Sequence, residues 1–248
     1  MSIHLKYQQI VLLLCSFFLQ SGCFETELSK TIEHYNQGTT HSKIVLIRHG
    51  ESVANAERKF SWPEVPLTAQ GYRQAQYAAN IVQSHNIAFD CAYTSGLKRA
   101  QDTLTVILRA LACQGIPTKQ AAELNTRSFG DLGKWTKDRA CAQFGEDQVK
   151  LWYGIEYENV ADVAPPGGET LRYCENRARS YYMNEIKNKV LAGKNILVAI
   201  SRNPIYSLMK QIEGSQLKPV PIEEMKNALP IIYELDSRGK VLRRTMYK

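Results

Sequence analysis

The chain lacks the residue patterns of a disulfide scaffold or a zinc module. Its six cysteines are spread over 248 residues, with no C-x-x-C pair and no zinc-ligand spacing. No repeat period and no low-complexity tract is present, which excludes solenoid, collagen-like and disordered classes. The apolar run from Ile10 to Leu19 is too short to cross a bilayer core of about 30 Å as a helix. Basic residues are scattered without an aromatic-basic motif, so nucleic acid is a poor partner. What is there is ordinary for a folded protein: 44% hydrophobic and 22% charged residues. The length suits one large α/β domain or two small ones, with enough chain for a sizeable core. A net charge of +7 favours anionic partners.

Residues 1–23 read as a secretory signal, with Lys6 as a thin positive region before the apolar run. Cys23 after Ser21-Gly22 also resembles a bacterial lipoprotein box, which would leave a lipidated Cys23 as the mature N-terminus. Gln20 departs from that pattern, where an aliphatic residue is usual, and an apolar helix that stays attached is the other reading. The expectation is export, to the periplasm or as a membrane-anchored lipoprotein, and a cytoplasmic protein if the leader is not a signal. Residues 24–42 read as a polar tether and residues 43–248 as the folded domain. The remaining Cys91, Cys113, Cys141 and Cys174 are expected as buried thiols, with one disulfide left open.

Within the folded part, strand and helix signals alternate. Lys43–Ile47 is a continuous apolar run, as in a strand covered on both faces. Gln70–His85 has helical spacing, with Thr68 as N-cap. Phe89–Thr94 reads as a strand and Leu97–Cys113 as an amphipathic helix. Thr170–Leu191 follows the turn Pro165-Pro166-Gly167-Gly168 as a helix. Asn195–Ile200 is a buried strand, Pro204–Ile212 a helix, and Pro230–Leu235 with Val241–Met246 a hairpin about Asp236–Gly239. This order predicts a three-layer α/β/α sandwich with a mostly parallel central sheet. Residues 123–165 look irregular, an insertion over one end of the sheet.

Ligands of open α/β sheets gather beyond the carboxyl ends of the strands. The first strand ends in Arg48-His49-Gly50-Glu51-Ser52, with Asn55 close behind, and the second runs into Ser95-Gly96-Leu97-Lys98-Arg99. Arg99 then falls in the first turn of a helix, where arginine and helix N-terminus both favour phosphate. Further segments are Val65–Thr68 with Gly71, Phe144–Trp152, Gly167–Thr170 and Leu229–Asp236. Together these resemble the histidine phosphatase superfamily, and its cofactor-dependent phosphoglycerate mutase branch in particular, over residues 43 to 247.

The resemblance implies that His49 is a nucleophile taking on a phosphoryl group, with Arg48 and Arg99 neutralising the phosphate oxygens. It implies substrate contacts from Ser52 and Asn55, a phosphate contact from Asn203, and an anion contact from Lys137. It implies no metal, with 2,3-bisphosphoglycerate serving as phosphoryl primer only if true mutase activity survives. The expected partner is a phosphorylated small molecule, and the branch often forms dimers or tetramers.

Departures from the pattern are equally legible. The family's acidic glutamate is Thr126, and its second histidine is Ser201, followed by Arg202 in place of glycine. Tyr153 and Gly154 stand where mutases carry two arginines. Phe129 replaces a tyrosine, and the loop at Phe60-Ser61-Trp62 is one residue short. Ser201 and Arg202 are candidate replacements for the lost phosphate contact, and Glu123 and Asp131 for the lost acid. Two readings follow: a diverged phosphohistidine phosphatase or transferase, and a pseudoenzyme that keeps the anion cradle and binds a phosphorylated ligand or a protein partner.

Overall fold

Alternating burial decides the layers. In strand β1 (Ser42–Arg48), Ile44 and Leu46 belong to one apolar cluster and Val45 and Ile47 to another, all essentially without solvent contact. Successive side chains of a strand point to opposite faces, so a strand that is apolar throughout must be covered on both. The same holds for β2 (Cys91–Ser95) and β4 (Ile196–Ile200), buried at every position. A computed structural model describes residues 39–153, 161–217, 220 and 224–247. The expected leader, Cys23 and nearly all of the tether lie outside the described residues, as does Gly154. The compact unit begins at Thr40, and β1 takes in Ser42 from the end of the expected tether.

The sheet has six strands in the order β3-β2-β4-β1-β5-β6, with β3 at Thr118–Ala121, β5 at Pro230–Leu235 and β6 at Val241–Met246. Pairings among β1 to β4 are parallel, and β5 and β6 add antiparallel neighbours. One face is covered by α2 (Ala69–Ser84) and α3 (Lys98–Ala110). The other is covered by α6 (Leu171–Tyr181) and α8 (Arg202–Glu213). The result is the predicted sandwich. Thr68 caps α2 by accepting from Gly71 N at 3.0 Å, and Thr170 caps α6 through Tyr173 N at 3.0 Å. Each such cap contributes about 1 kcal/mol.

Four expectations need correction. The helix predicted as continuous from Thr170 to Leu191 contains a π turn at Tyr182–Ile186 before α7 (Lys187–Leu191). Tyr182 and Ile186 are buried in the core there. The irregular middle holds two eight-residue helices, α4 (Lys137–Phe144) and α5 (Glu146–Tyr153). They close a small core of Phe60, Phe129, Leu132, Ala140, Val149 and Trp152, too short in each helix to show periodicity. The helix expected from Pro204 starts two residues earlier, at Arg202. Finally, all four cysteines of the described part are free thiols, and Cys113 and Cys141 are only half-buried. Edge strand β3 escaped the sequence reading because three of its four residues are exposed.

Candidate active site

Parallel pairing sets the site. Arg48 of β1 lies opposite Ile200 of β4, and His49 N donates to Ile200 O at 2.9 Å. The chain therefore leaves both strands at one level, with His49 beside Ser201. Thr94 of β2 pairs with Ala199 and donates its hydroxyl to Ala199 O at 2.8 Å. Gly96 N then donates to Asn125 Oδ1 at 2.8 Å, drawing the loop that carries Thr126 to the same end.

His49 is 4% exposed. Its Nδ1 lies 2.7 Å from Gly50 O, and a carbonyl only accepts, so Nδ1 carries the proton and Nε2 the lone pair. Arg99 Nε donates to that Nε2 at 3.2 Å. Burial, followed by the Arg99 and Arg48 cations, holds the imidazole well below its usual pKa, so it is neutral at pH 7. The loop after it needs two glycines. A Cβ on Gly50 would sit 2.3 Å from Gly71 O, and one on Gly71 2.1 Å from Glu51 O. Only bare backbone permits this approach of α2 to the loop after His49.

Arg99, at the second position of α3, is 1% exposed. Its Nη1 donates to Trp62 O at 3.0 Å and its Nη2 to Ser61 Oγ at 3.3 Å. Arg48 donates through Nη1 to Met225 O at 2.8 Å, and its buried Nε has no partner among the described residues. Burial, then the neighbouring guanidinium of Arg202, lowers Arg48 to about 10. Burial, then Arg48, lowers Arg99 to about 10. Both stay cationic near neutrality.

Helix α8 opens with Ser201 as N-cap. A serine in that place normally accepts from the second or third helical N–H, but the third residue is Pro204, which has none. Ser201 Oγ is buried without a partner among the described residues, and so is Arg202 Nε. Asn203 Oδ1 accepts from Thr126 Oγ1 at 2.8 Å. These groups enclose a cavity of about 40 Å³ lined by Arg48, His49, Asn55, Ser61, Arg99, Thr126, Phe129, Tyr153, Ser201, Arg202 and Asn203. Among the described residues, three guanidinium groups and no carboxylate line it.

Two predicted contacts fall elsewhere. Ser52 is buried as N-cap of the short helix α1 (Val53–Ala56), accepting from Asn55 N at 3.3 Å while Asn55 Oδ1 accepts from Ser52 N at 3.2 Å. Its hydroxyl thus fixes the backbone that presents Asn55 and does not line the cavity. Lys137 lies outside the lining as well, its Nζ 3.6 Å from the centroid of the Tyr153 ring. Of the two candidate replacement acids, Glu123 lines an adjoining pocket of about 530 Å³, and neither it nor Asp131 lines the cavity. The sequence reading named Ser61 only as part of a shortened loop and missed Asn227. Asn227 Nδ2 donates to His49 O at 2.8 Å and lies 3.3 Å from Asn55 Oδ1. No local pattern marks Asn227, because its role depends on a contact 178 residues away.

A buried neutral histidine thus stands among arginines at the carboxyl ends of parallel strands, an arrangement suited to an anion. The family model of the histidine phosphatase superfamily (branch 1) matches residues 44–247, and the chain belongs to that superfamily. It is 40% identical over 199 residues to the 2,3-bisphosphoglycerate-dependent phosphoglycerate mutase of Bradyrhizobium diazoefficiens, covering 80% of this chain and 94% of that one. It is 36% identical over 204 residues to the protein of the same name from Parvibaculum lavamentivorans, covering 82% and 95%. In fold it is similar to the alpha-ribazole phosphatase of Shigella flexneri, with TM-score 0.65 and 23% identity over 83% of this chain and 96% of that one. It is also similar to a phosphoglycerate mutase from Bacillus anthracis, with TM-score 0.64 and 19% identity over 86% and 94%.

Proposed function

We propose that this chain is a phosphoryl-transfer enzyme that hydrolyses phosphomonoesters through a phosphohistidine on His49. The observation that carries the proposal is the tautomer: the Gly50 carbonyl holds the proton on Nδ1, which leaves the Nε2 lone pair at a cavity lined by three guanidinium groups. A neutral imidazole attacks phosphorus, and Arg48, Arg99 and Arg202 neutralise the equatorial oxygens as charge builds. Arg99 Nε holds the lone pair until an anionic oxygen competes for that donor. Asn55, Asn203 and Ser201 supply further polar contacts to the bound group.

Mutase activity of the kind named for the relatives is a poor fit. Tyr153 and Gly154 follow Trp152, so the two arginines that the resemblance places there for a second phosphate are missing. The proposed reaction uses no bisphosphorylated primer. The proposed setting is outside the cytoplasm, following from the leader-like residues 1–23, with a phosphorylated small molecule as substrate.

The test is intact-protein mass after incubation with an acyl phosphate or phosphoramidate. A phosphoryl adduct is expected in the wild type and none in His49→Ala. A second reading is favoured by the lack of a carboxylate among the described lining residues: an anion-binding pseudoenzyme. Saturable phosphate binding with no adduct and no turnover would select it.

A further inference from the structure

We propose that the Tyr153 phenol is the proton donor and acceptor of the His49 reaction, in the role vacated at Thr126. The proposal rests on the phosphohistidine reading above. Tyr153 is the last residue of α5, and its ring is fixed between Phe129, at 6.1 Å and nearly parallel, and Phe60, at 6.1 Å edge-on. It lines the small cavity together with His49, and it also forms a wall of a cleft of about 590 Å³ next to it. Tyr153, with Arg48 and Arg202, is thus common to the cavity that holds the imidazole and to a cleft with room for the rest of an ester.

The charges around the phenol come from four elements. Lys137 of α4 lies 3.6 Å from the ring centroid, and the Arg202 guanidinium of α8 lies 5.1 Å from it. Arg48 at the end of β1 lines both the cavity and the cleft, and Lys226 lines the cleft. On its own helix, Lys150 is engaged with Glu146 at the surface. Among the described residues, no carboxylate shares either lining. Burial by itself would raise the phenol, but Arg202, Lys137 and Arg48 outweigh it and bring Tyr153 down to about 8. Such a group is mostly protonated at pH 7 yet gives up its proton readily, the property a general acid needs.

In the first step His49 Nε2 bonds to phosphorus and the ester P–O bond breaks. The departing oxygen takes the Tyr153 proton, leaving phosphohistidine, an alcohol and a phenolate held by Arg202 and Lys137. In the second step water attacks phosphorus, the P–N electron pair returns to Nε2, and the water proton passes to the phenolate. Ester and water give alcohol and inorganic phosphate, and both side chains are restored.

The experiment compares Tyr153→Phe, which keeps the ring packing, with the wild type on an alkyl phosphate and on p-nitrophenyl phosphate. Loss of the phenol should lower the alkyl rate by about 10²-fold or more, the usual contribution of a general acid. The burst of p-nitrophenol that accompanies phosphorylation of His49, whose leaving group needs no proton, should change little. The wild-type profile should fall above about pH 8 and that limb should vanish in the variant, while Lys137→Met should move it to higher pH. Near-ultraviolet difference titration should show one phenolate forming near that pH in the wild type alone. An unchanged alkyl rate and limb in Tyr153→Phe, with the His49 adduct still forming, overturns the proposal and leaves the phosphohistidine reading intact. Failure of the wild type to form the adduct overturns both.

Discussion

At the scale of the residue, the chemistry turns on one imidazole kept from its proton. His49 binds fewer protons folded than unfolded once the pH drops below about 6.5, so it subtracts stability as the solution is acidified. Its contribution is neutral above that value and grows more unfavourable below it. His49→Gln should therefore flatten the acid side of the stability curve. Urea midpoints at about pH 7 and about pH 5 should differ less in the variant than in the wild type. Equal acid losses in both would show that other groups carry the effect. Arg48, His49, Arg99, Ser201, Arg202 and Asn203 were all legible from strand ends and motif likeness. Ser52 and Lys137 were legible as residues but not as positions: only the capping box and the Tyr153 ring reveal where their polar atoms go.

At the scale of the element, the segment between β3 and α6 matters more than its sequence suggests. Its helices α4 and α5 are short, and their few apolar residues face Phe60 and Phe129, contributed by other parts of the chain. A period of 3.6 is invisible over two turns, which is why this stretch read as irregular. The long helices α2 and α3, with apolar faces and a side-chain cap on α2, were readable. Phe60 is fully buried at the centre of this small core and 4.9 Å from Phe129. Phe60→Ala should cost about 3–5 kcal/mol in chemical denaturation, as buried aromatic truncations do. Because Phe60 also flanks Tyr153 and precedes the Ser61 and Trp62 contacts to Arg99, activity should fall further than the stability loss predicts. A stable, fully active variant would show that this core is independent of the site. The loop that carries Thr126 has a comparable brace: Arg177 of α6 donates to Glu123 O at 2.6 Å, Asn125 O at 2.7 Å and Thr126 O at 3.0 Å.

At the scale of the whole molecule, the site gathers Arg48, Arg99 and Arg202, whose mutual repulsion a bound anion would offset. Burying like charges without a counterion is unfavourable, so the fold should be firmer with phosphate or vanadate bound. At about 100 times its dissociation constant, a ligand adds roughly 2.7 kcal/mol. For a domain of this size that corresponds to a rise in Tm of about 5–11 °C. Thermal scans with added phosphate should show it, with Arg99→Ala giving a much smaller rise and sodium chloride at equal ionic strength giving none. A phosphate-independent Tm would mean that the cradle does not take the anion.

The pairing of β1 with β4 carries one more implication. Side chains alternate between faces along a strand, so sliding β1 by a single position would send the imidazole into the opposite layer and bring apolar groups to the mouth of the sheet. Correct alignment of the two strands and correct placement of the His49 imidazole are thus one specification. Any preparation that accepts a phosphoryl group has, by that act, certified the alignment of its central strands.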